Sequence, residues 1–459
     1  MLTGIQQESL RQRRSTLCQV VAAPVLLWSG ARQSRNFLAN LVPFRASSHF
    51  LYFAGCALPN AVILLQAGQL TLFWDEPPDN DALWHGKQSS RAQIAESIGA
   101  IAAYPLSALT PFAQDALTVP VLDPVLRQQQ AHILGRSVGE ARIPNGRDVP
   151  LLEAMIQLRM IQDGGALEQI QQAVAVTVAA HRAGMAATGT AETEAQIRAV
   201  IEAAMTAAQM SPAYGSIVTT HGEVLHQEHS PHLLDPGALL LVDAGAETSL
   251  GWAADVTRTW PVSGRWSSSQ RDLYGVVRAA HAACIAQAAP QVEYRDLHGC
   301  AATTLTQGLV DLGILKGAVE GLLERDAHAV FFPHGVGHLL GLDVHDMEDL
   351  GDRAGYAPGR QRSDRFGLGF LRLDRPLQVG MCVTIEPGFY QVPALLEQAH
   401  RSDRWRDCIN WERLALFEDV RGIRIEDDVL ITEQGCEVLT TALPTDPDML
   451  EECLAEAVQ

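Results

Sequence analysis

Four strand-like runs in the C-terminal half of the chain each deliver a carboxylate: Asp243 in LLLVDAG, Asp255 in GWAADVTRTW, Glu386 in MCVTIEPGFY and Glu426 in GIRIEDDVLIT. This pattern constrains the fold strongly, because a carboxylate beside a buried apolar run must be paired or metal-bound to stay charged. Taken singly, each has a bland reading. An Asp ending a strand commonly belongs to a turn or cap. Alternation in the last run puts Ile423, Ile425 and Asp427 on one face and Arg424, Glu426 and Asp428 on the other, so an Arg424–Glu426 ion pair is the metal-free alternative. A fifth element, FFPHGVGHLLGLDVHD, holds His334, His338 and His345. His334 and His338 are four apart, but Gly335 and Gly337 flank Val336, so this is not the helical HExxH of a zincin. Core packing is the alternative for these histidines, and imidazole alone does not choose a metal.

Together the five elements give an oxygen-rich, lightly nitrogenous shell, the kind that holds two divalent ions about 3.5–4 Å apart. Such a pair activates a bridging water and polarises a carbonyl, leaving spare histidines for proton transfer and hydrogen bonding.

The rest of the sequence fits this frame. At 459 residues, two domains are expected. Residues 1–155 read as a mixed α/β domain. VVAAPVLLWSG, NAVILLQAGQLTLFW and IAAYPLSAL are its strands, with SSRAQIAESI and PVLRQQQAHIL as helices between them. RIPNGRDVP clusters turn formers before the boundary. Residues 156–459 read as an α+β domain with antiparallel strands at its centre and helices against them. Thr193 and Gln196 form a capping box opening the helix AQIRAVIEAAMTAAQM. YGSIVTT, GEVLH and ALLLVDAG are expected as strands.

The formal charge of -19 argues against nucleic acid as a partner. The eight cysteines lie without a CxxC pair, as reduced thiols of a cytoplasmic protein would. Neither a signal peptide nor a bilayer-spanning stretch is expected.

VDAGAE…ADVTRTWP, FFPHGVGHLLGLDVHD, VTIEPGFY and GIRIEDDVLIT resemble, in order, the motifs of the pita-bread metallopeptidases, family M24, which includes methionine aminopeptidase, aminopeptidase P and prolidase. The resemblance covers roughly 155 to 445. NLVPFRASSHFLYFAGCALPNAVILL is similar to the opening domain of the proline-specific branch. The resemblance implies a C-terminal pita-bread domain and a dinuclear site. Asp243 would chelate one metal, Asp255 and Glu426 would bridge, and His338 and Glu386 would bind the second. Glu386 would also handle the proton of an attacking hydroxide. His345 would contact the substrate carbonyl, His334 and His226 would line the substrate site, and Arg424 would steady Glu426. Manganese is the usual ion of the branch, with zinc, cobalt or iron as alternatives.

The sequence departs from the family in three places. One extra residue separates Asp243 from Asp255, calling for a bulge or a longer turn. Gln227 stands where a tyrosine often follows the equivalent of His226. The insert LLEQAHRSDRWRDCINWERLALFEDV looks more like prolidase. The implied activity is release of the first residue from Xaa-Pro-Yaa peptides, with Xaa-Pro dipeptide hydrolysis as the alternative. A carboxylate clamp of one or two arginines would favour the dipeptidase. A metal-free binding protein or creatinase-like hydrolase would require loss of ligands, and none is lost. The branch commonly forms dimers or tetramers, and Trp84 is a candidate to reach a neighbouring subunit's site.

Overall fold

In the computed structural model, which describes residues 2–227 and 229–456, the β-branched and leucine-rich runs of the first 120 residues pair into one sheet. Val25–Trp28 (β1), Val62–Gln66 (β2), Gln69–Phe73 (β3), Ala102–Tyr104 (β4) and Leu117–Thr118 (β5) lie in the order β4-β3-β2-β1-β5. β2 and β3 form a hairpin whose two turn residues, Ala67 and Gly68, both have positive φ, as a tight connection between twisted strands requires. β4 and β5 join the edges in parallel. Leu26, Trp28, Val62, Leu64 and Phe73 bury one cluster with Leu109, Ala113 and Ala116.

The polar opening of the chain is a helix, Gly4–Val20, started by a Thr3–Gln6 capping box. It buries Leu10 and Leu17 together with Arg13 and Arg14. Those guanidiniums are satisfied internally: Arg14 donates to Phe53 O, and Arg13 to Tyr52 O and to both oxygens of Asp163.

The expected division at 155 falls inside the helix Val149–Met160. The two compact units part instead between Gln169 and Ile170, within the helix Gly164–Thr188. The Arg13–Asp163 pair, the Gly165 N–H on Ser9 Oγ and the Thr3 hydroxyl on Glu168 tie residues 163–168 to the first helix. Ser249–Gly251 and Met347–Ala354 also belong to the first unit.

The second unit is built from antiparallel strands. Ile217–Thr219 (β7), Leu239–Asp243 (β8) and Thr257–Pro261 (β10) form a sheet ordered β10-β8-β7, flanked by the pair Ser211–Pro212 (β6) and Ala246–Glu247 (β9). Cys382–Ile385 (β11), Asp427–Thr432 (β14) and Gly435–Val438 (β15) make a second sheet, and Gly388–Tyr390 (β12) pairs with Gly422–Arg424 (β13). Helices Ser268–Gln287 and Tyr294–Asp311 pack on each other, and the first of them also lies against β11, β12, β13 and β15. The Thr193–Gln196 capping box forms and opens the helix Glu194–Ala207. GEVLH, expected as a strand, is a series of turns. The Val224 N–H closes onto His221 O, and the buried Glu223 carboxylate is taken by Arg421 and His221.

Candidate active site

Asp243 is the last residue of β8, paired with Thr257 of β10. Beyond it the pairing continues without slipping: Ala244 N–H donates to Val256 O, Ala254 N–H to Ala246 O, and Thr248 N–H to Trp252 O. The extra residue between the two aspartates is therefore housed in the hairpin tip, Ser249–Gly251, with Gly251 at positive φ, and no bulge is needed. Asp255 sits across from Gly245. A side chain at Gly245 would collide with Ala254 O.

The second pair of carboxylates arises in a gap between two ladders. β11 and β14 pair up to Ile385–Asp427, and pairing resumes in the same register at Gly388–Arg424. Glu386 is thereby set across from Glu426. Like charges directly opposite on paired strands are destabilising unless a cation stands between them.

The HGVGH segment runs beside β11. His338 N–H donates to Thr384 Oγ1 (3.1 Å), Thr384 N–H to His338 O (3.0 Å) and Glu386 N–H to Val336 O (2.8 Å). Gly337, at φ +153, has no room for a side chain between Tyr294 OH and Thr384 O.

These elements bring all five sequence-predicted ligands to one cavity of about 800 Å³. Ligand atoms of Asp255, His338 and Glu426 lie within 4.8 Å of one another. His338 Nε2 is 3.3 Å from Asp255 Oδ2 and 3.7 Å from Glu386 Oε1. Its Nδ1 faces Leu339 O at 2.9 Å, so Nδ1 carries the proton and Nε2 presents a lone pair to the acids.

Burial, reinforced by Asp243, pushes the Asp255 carboxyl up to about 7. Burial also lifts Glu386 to about 8 and Glu426 well above the usual carboxylate range, with the neighbouring acids adding to both. One arginine cannot neutralise the four carboxyl groups that line this cavity. Two divalent cations can, and oxygen donors with one imidazole suit them, so the residues present fit a dinuclear site.

Arg424 does not pair with Glu426. Its Nη2 donates to Asp243 Oδ2 at 2.6 Å, and its Nε donates to Thr257 Oγ1 at 3.0 Å. Thr257 in turn donates to Glu426 Oε2 at 2.7 Å, so arginine and glutamate meet through a threonine. Arg424 Nη1 reaches Tyr390 OH at 3.0 Å, and that hydroxyl lies 2.8 Å from His334 Nε2. His334 Nδ1 donates to Gly335 O at 2.7 Å. With both nitrogens engaged, and with burial and then Arg424 depressing its pKa to about 3, His334 is a neutral imidazole. His345 stands 4.2 Å from His338, centroid to centroid, at 65°. His226 lines the cavity, its pKa lowered by burial and then by Arg424. Trp84, in the first unit, is 78% exposed on the four-residue helix Ala82–His85.

Sequence reasoning did not single out several residues of the site. Tyr214 OH lies 2.6 Å from Asp243 Oδ1 and 2.5 Å from Asp255 Oδ1. Burial and these acids raise its pKa well above that of free tyrosine. Asp428 accepts the Asp255 N–H on both oxygens at 3.2 Å. Arg198, Phe370 and Arg372 line the cavity. Thr257 had a signal, since alternation through DVTRTW puts it on the face of Asp255. Tyr214 had none, being remote in sequence from any acid.

Among the described residues no helix is long and apolar enough to cross a membrane.

Comparison with known proteins agrees with this geometry. Residues 168–433 match Metallopeptidase family M24, and residues 10–120 match the Aminopeptidase P, N-terminal domain. The chain belongs to metallopeptidase family M24 and joins the pita-bread fold to a separate N-terminal domain of the aminopeptidase P type. It is 31% identical over 434 residues to a probable Xaa-Pro aminopeptidase of Aspergillus terreus, covering 90% of this chain and 88% of that one. It is 28% identical over 480 residues to the Xaa-Pro dipeptidase of Homo sapiens, covering 99% and 93%. The structure of Pseudomonas aeruginosa aminopeptidase PepP superimposes with a TM-score of 0.80 at 27% identity, covering 100% of both chains.

Proposed function

We propose that this chain is an Xaa-Pro aminopeptidase, releasing the first residue from peptides with proline second. The observation that carries the reading is the convergence of Asp243, Asp255, His338, Glu386 and Glu426 on one cavity, in a chain whose relatives include enzymes of that name. These five residues would hold two divalent ions, manganese first among the candidates. The ions, when bound, supply Lewis-acid polarisation of a scissile carbonyl and activation of water.

The protein's own groups do the rest. Tyr214 holds Asp243 and Asp255 at one oxygen each, and Thr257 holds Glu426. Glu386 takes and returns the proton, a role suited to a carboxyl whose surroundings raise its pKa toward neutrality. His345, which lines the cavity edge-on to His338, would donate to a carbonyl oxygen. His226 lines the substrate cavity. His334, closed on Gly335 and Tyr390, shapes the wall as a neutral ring.

A second reading, Xaa-Pro dipeptidase, is favoured by one observation. Arg198 and Arg372 both line the cavity, and a guanidinium there suits the terminal carboxylate of a dipeptide. The free cysteines agree with a cytoplasmic setting, and the exposed Trp84 with a homo-oligomer. Metal-reconstituted enzyme given Ala-Pro and Ala-Pro-Ala side by side tests the function. Cleavage of the tripeptide at Ala-Pro with the dipeptide spared is expected. The reverse makes the enzyme a dipeptidase, and cleavage of neither removes proline specificity.

A further inference from the structure

Asp326 is buried in a left-handed turn (φ +52), yet it holds two guanidinium groups from different segments. Arg365 Nε donates to Oδ1 at 2.6 Å, and Arg365 Nη2 donates to Leu323 O at 2.8 Å. Arg404 Nη2 donates to the other oxygen, and Arg404 Nε to Arg325 O at 2.8 Å. Trp405 Nε1 donates to that same carbonyl at 2.7 Å, and its ring lies 5.2 Å from Phe366. The turn at 323–326 is thus a junction where the insert, through Arg404 and Trp405, meets the start of a loop, through Arg365 and Phe366.

That loop leads into the cavity. The N–H groups of Leu368 and Gly369 close onto Arg365 O, and the chain then presents Phe370 and Arg372 to the cavity. Phe370 is 67% exposed there. Tyr356 OH and Arg362 hold the far end of the loop at Leu371 O. The helix Pro393–Arg401 and the residues that follow, up to Val420, contribute nothing to the cavity lining among the described residues. Whatever this insert does for the reaction it does through another segment.

We infer that the insert is a brace: Arg404 and Trp405 are positioning residues that fix the loop 365–372, so that Phe370 and Arg372 form a preorganised wall for the far part of a bound peptide. The inference rests on the proposed reading of the cavity as a peptide site. Loosening the brace leaves the metal floor untouched, since its ligands stand on β8, β10, β11 and β13 or beside them, and weakens binding only. Because immobilising a side chain for binding has an entropic cost that preorganisation removes, KM should rise about five- to thirtyfold.

The test uses full-length, metal-loaded protein carrying Arg404→Ala, Trp405→Ala or Arg404→Lys, with kinetics on Ala-Pro and Ala-Pro-Ala and amide hydrogen exchange over 365–372. KM should rise on the cleaved substrate with kcat within twofold of wild type, and Arg404→Lys should restore most of the loss. Exchange should quicken over 365–372 and stay unchanged over β8 and β10. An unchanged KM in both alanine variants, or a fall in kcat and metal content together, overturns the brace. Wild-type protein that cleaves neither peptide overturns the proposed function instead. The exchange measurement then decides the brace alone, and protection of 365–372 that does not change refutes it.

Discussion

Thr257→Val isolates the contribution of one hydroxyl to the candidate metal site. The side chain is fully buried and valine matches its shape, so the change removes chemistry and leaves volume. Two hydrogen bonds go at once: the one donated to Glu426 Oε2 at 2.7 Å and the one accepted from Arg424 Nε at 3.0 Å. A hydrogen bond to a buried charged group contributes roughly 1.5–3 kcal/mol. Without metal, burial keeps the Glu426 carboxyl protonated, so only the Arg424 bond counts at that rate and the other at about 1 kcal/mol; with part regained by relaxation and the extra methyl, the metal-free protein should lose about 2 kcal/mol. Urea unfolding of metal-stripped wild type and variant reads this directly. Glu426 also loses the partner that orients it, so affinity for divalent ions, measured by chelator competition, should fall about ten- to a hundredfold. Thr257→Ser keeps the hydroxyl and should keep the affinity. A valine variant within about 0.5 kcal/mol of wild type, a change typical of a surface substitution, and with unaltered affinity would refute the coupling of Arg424 to Glu426 through this residue.

Other expectations follow from the same geometry. In metal-stripped protein Asp255 and Glu386 have folded-state pKa values near 7 and 8, above those of unfolded carboxyls, so their contribution to stability is complete below about pH 4 and is lost as pH rises through that range. Metal-stripped protein should therefore melt lower at pH 9 than at pH 6, and the gap to the metal-loaded form should widen with pH; a constant gap would count against it. Calorimetry of metal reloading in buffers of different ionisation heat should find more protons released at pH 6 than at pH 9, because fewer of the buried carboxyls remain protonated as pH rises. Gly245→Ala forces a methyl into Ala254 O and should abolish metal retention, checked by metal analysis of whatever folded protein is recovered. Arg372→Ala should raise KM for Ala-Pro about tenfold or more if the guanidinium reads a dipeptide carboxylate, and should raise it less for Ala-Pro-Ala, where only a wall contact is lost; steady-state kinetics on both peptides distinguishes the two.

The sequence made the strands legible wherever a run had one dominant periodicity. LLLVDAG, MCVTIEPGFY and GIRIEDDVLIT all contain strands, and they carry the acids because a buried run tolerates a carboxylate only where something balances it. The break between Arg424 and Asp427 was not legible. Simple alternation continues through it on paper, whereas the chain leaves one ladder and enters another, which turns Arg424 toward Asp243. GEVLH misled because its apolar pair suggested a strand, while its carboxylate, Glu223, is taken by Arg421 and His221 and the Val224 N–H closes a local turn. The compact units divide at 169/170 rather than at 155 for a different reason. Turn formers near 145 mark a real loop, but the side-chain links that decide which unit residues 149–169 join run back to Arg13, Ser9 and Thr3, and pairings over that separation leave no trace in local composition. Tyr214 illustrates the same limit inside the site.

The unbroken register between Ile385–Asp427 and Gly388–Arg424 has a bearing on which ions the site can hold. The two glutamates are not paired with each other, since the Glu386 N–H donates to Val336 O and the Glu426 N–H to Thr257 O, but they stand between two ladders in one register, so the separation of their backbones is set by paired strands on either side and not by a flexible loop. The metal floor is gauged by a ruler the rest of the domain also uses. Small divalent ions differ little in bond length and can be exchanged by small side-chain rotations, with the strands fixed. A calcium ion, with oxygen distances of about 2.3–2.6 Å and six to eight ligands, would require the strands themselves to part, and the ladders on either side of the gap resist it.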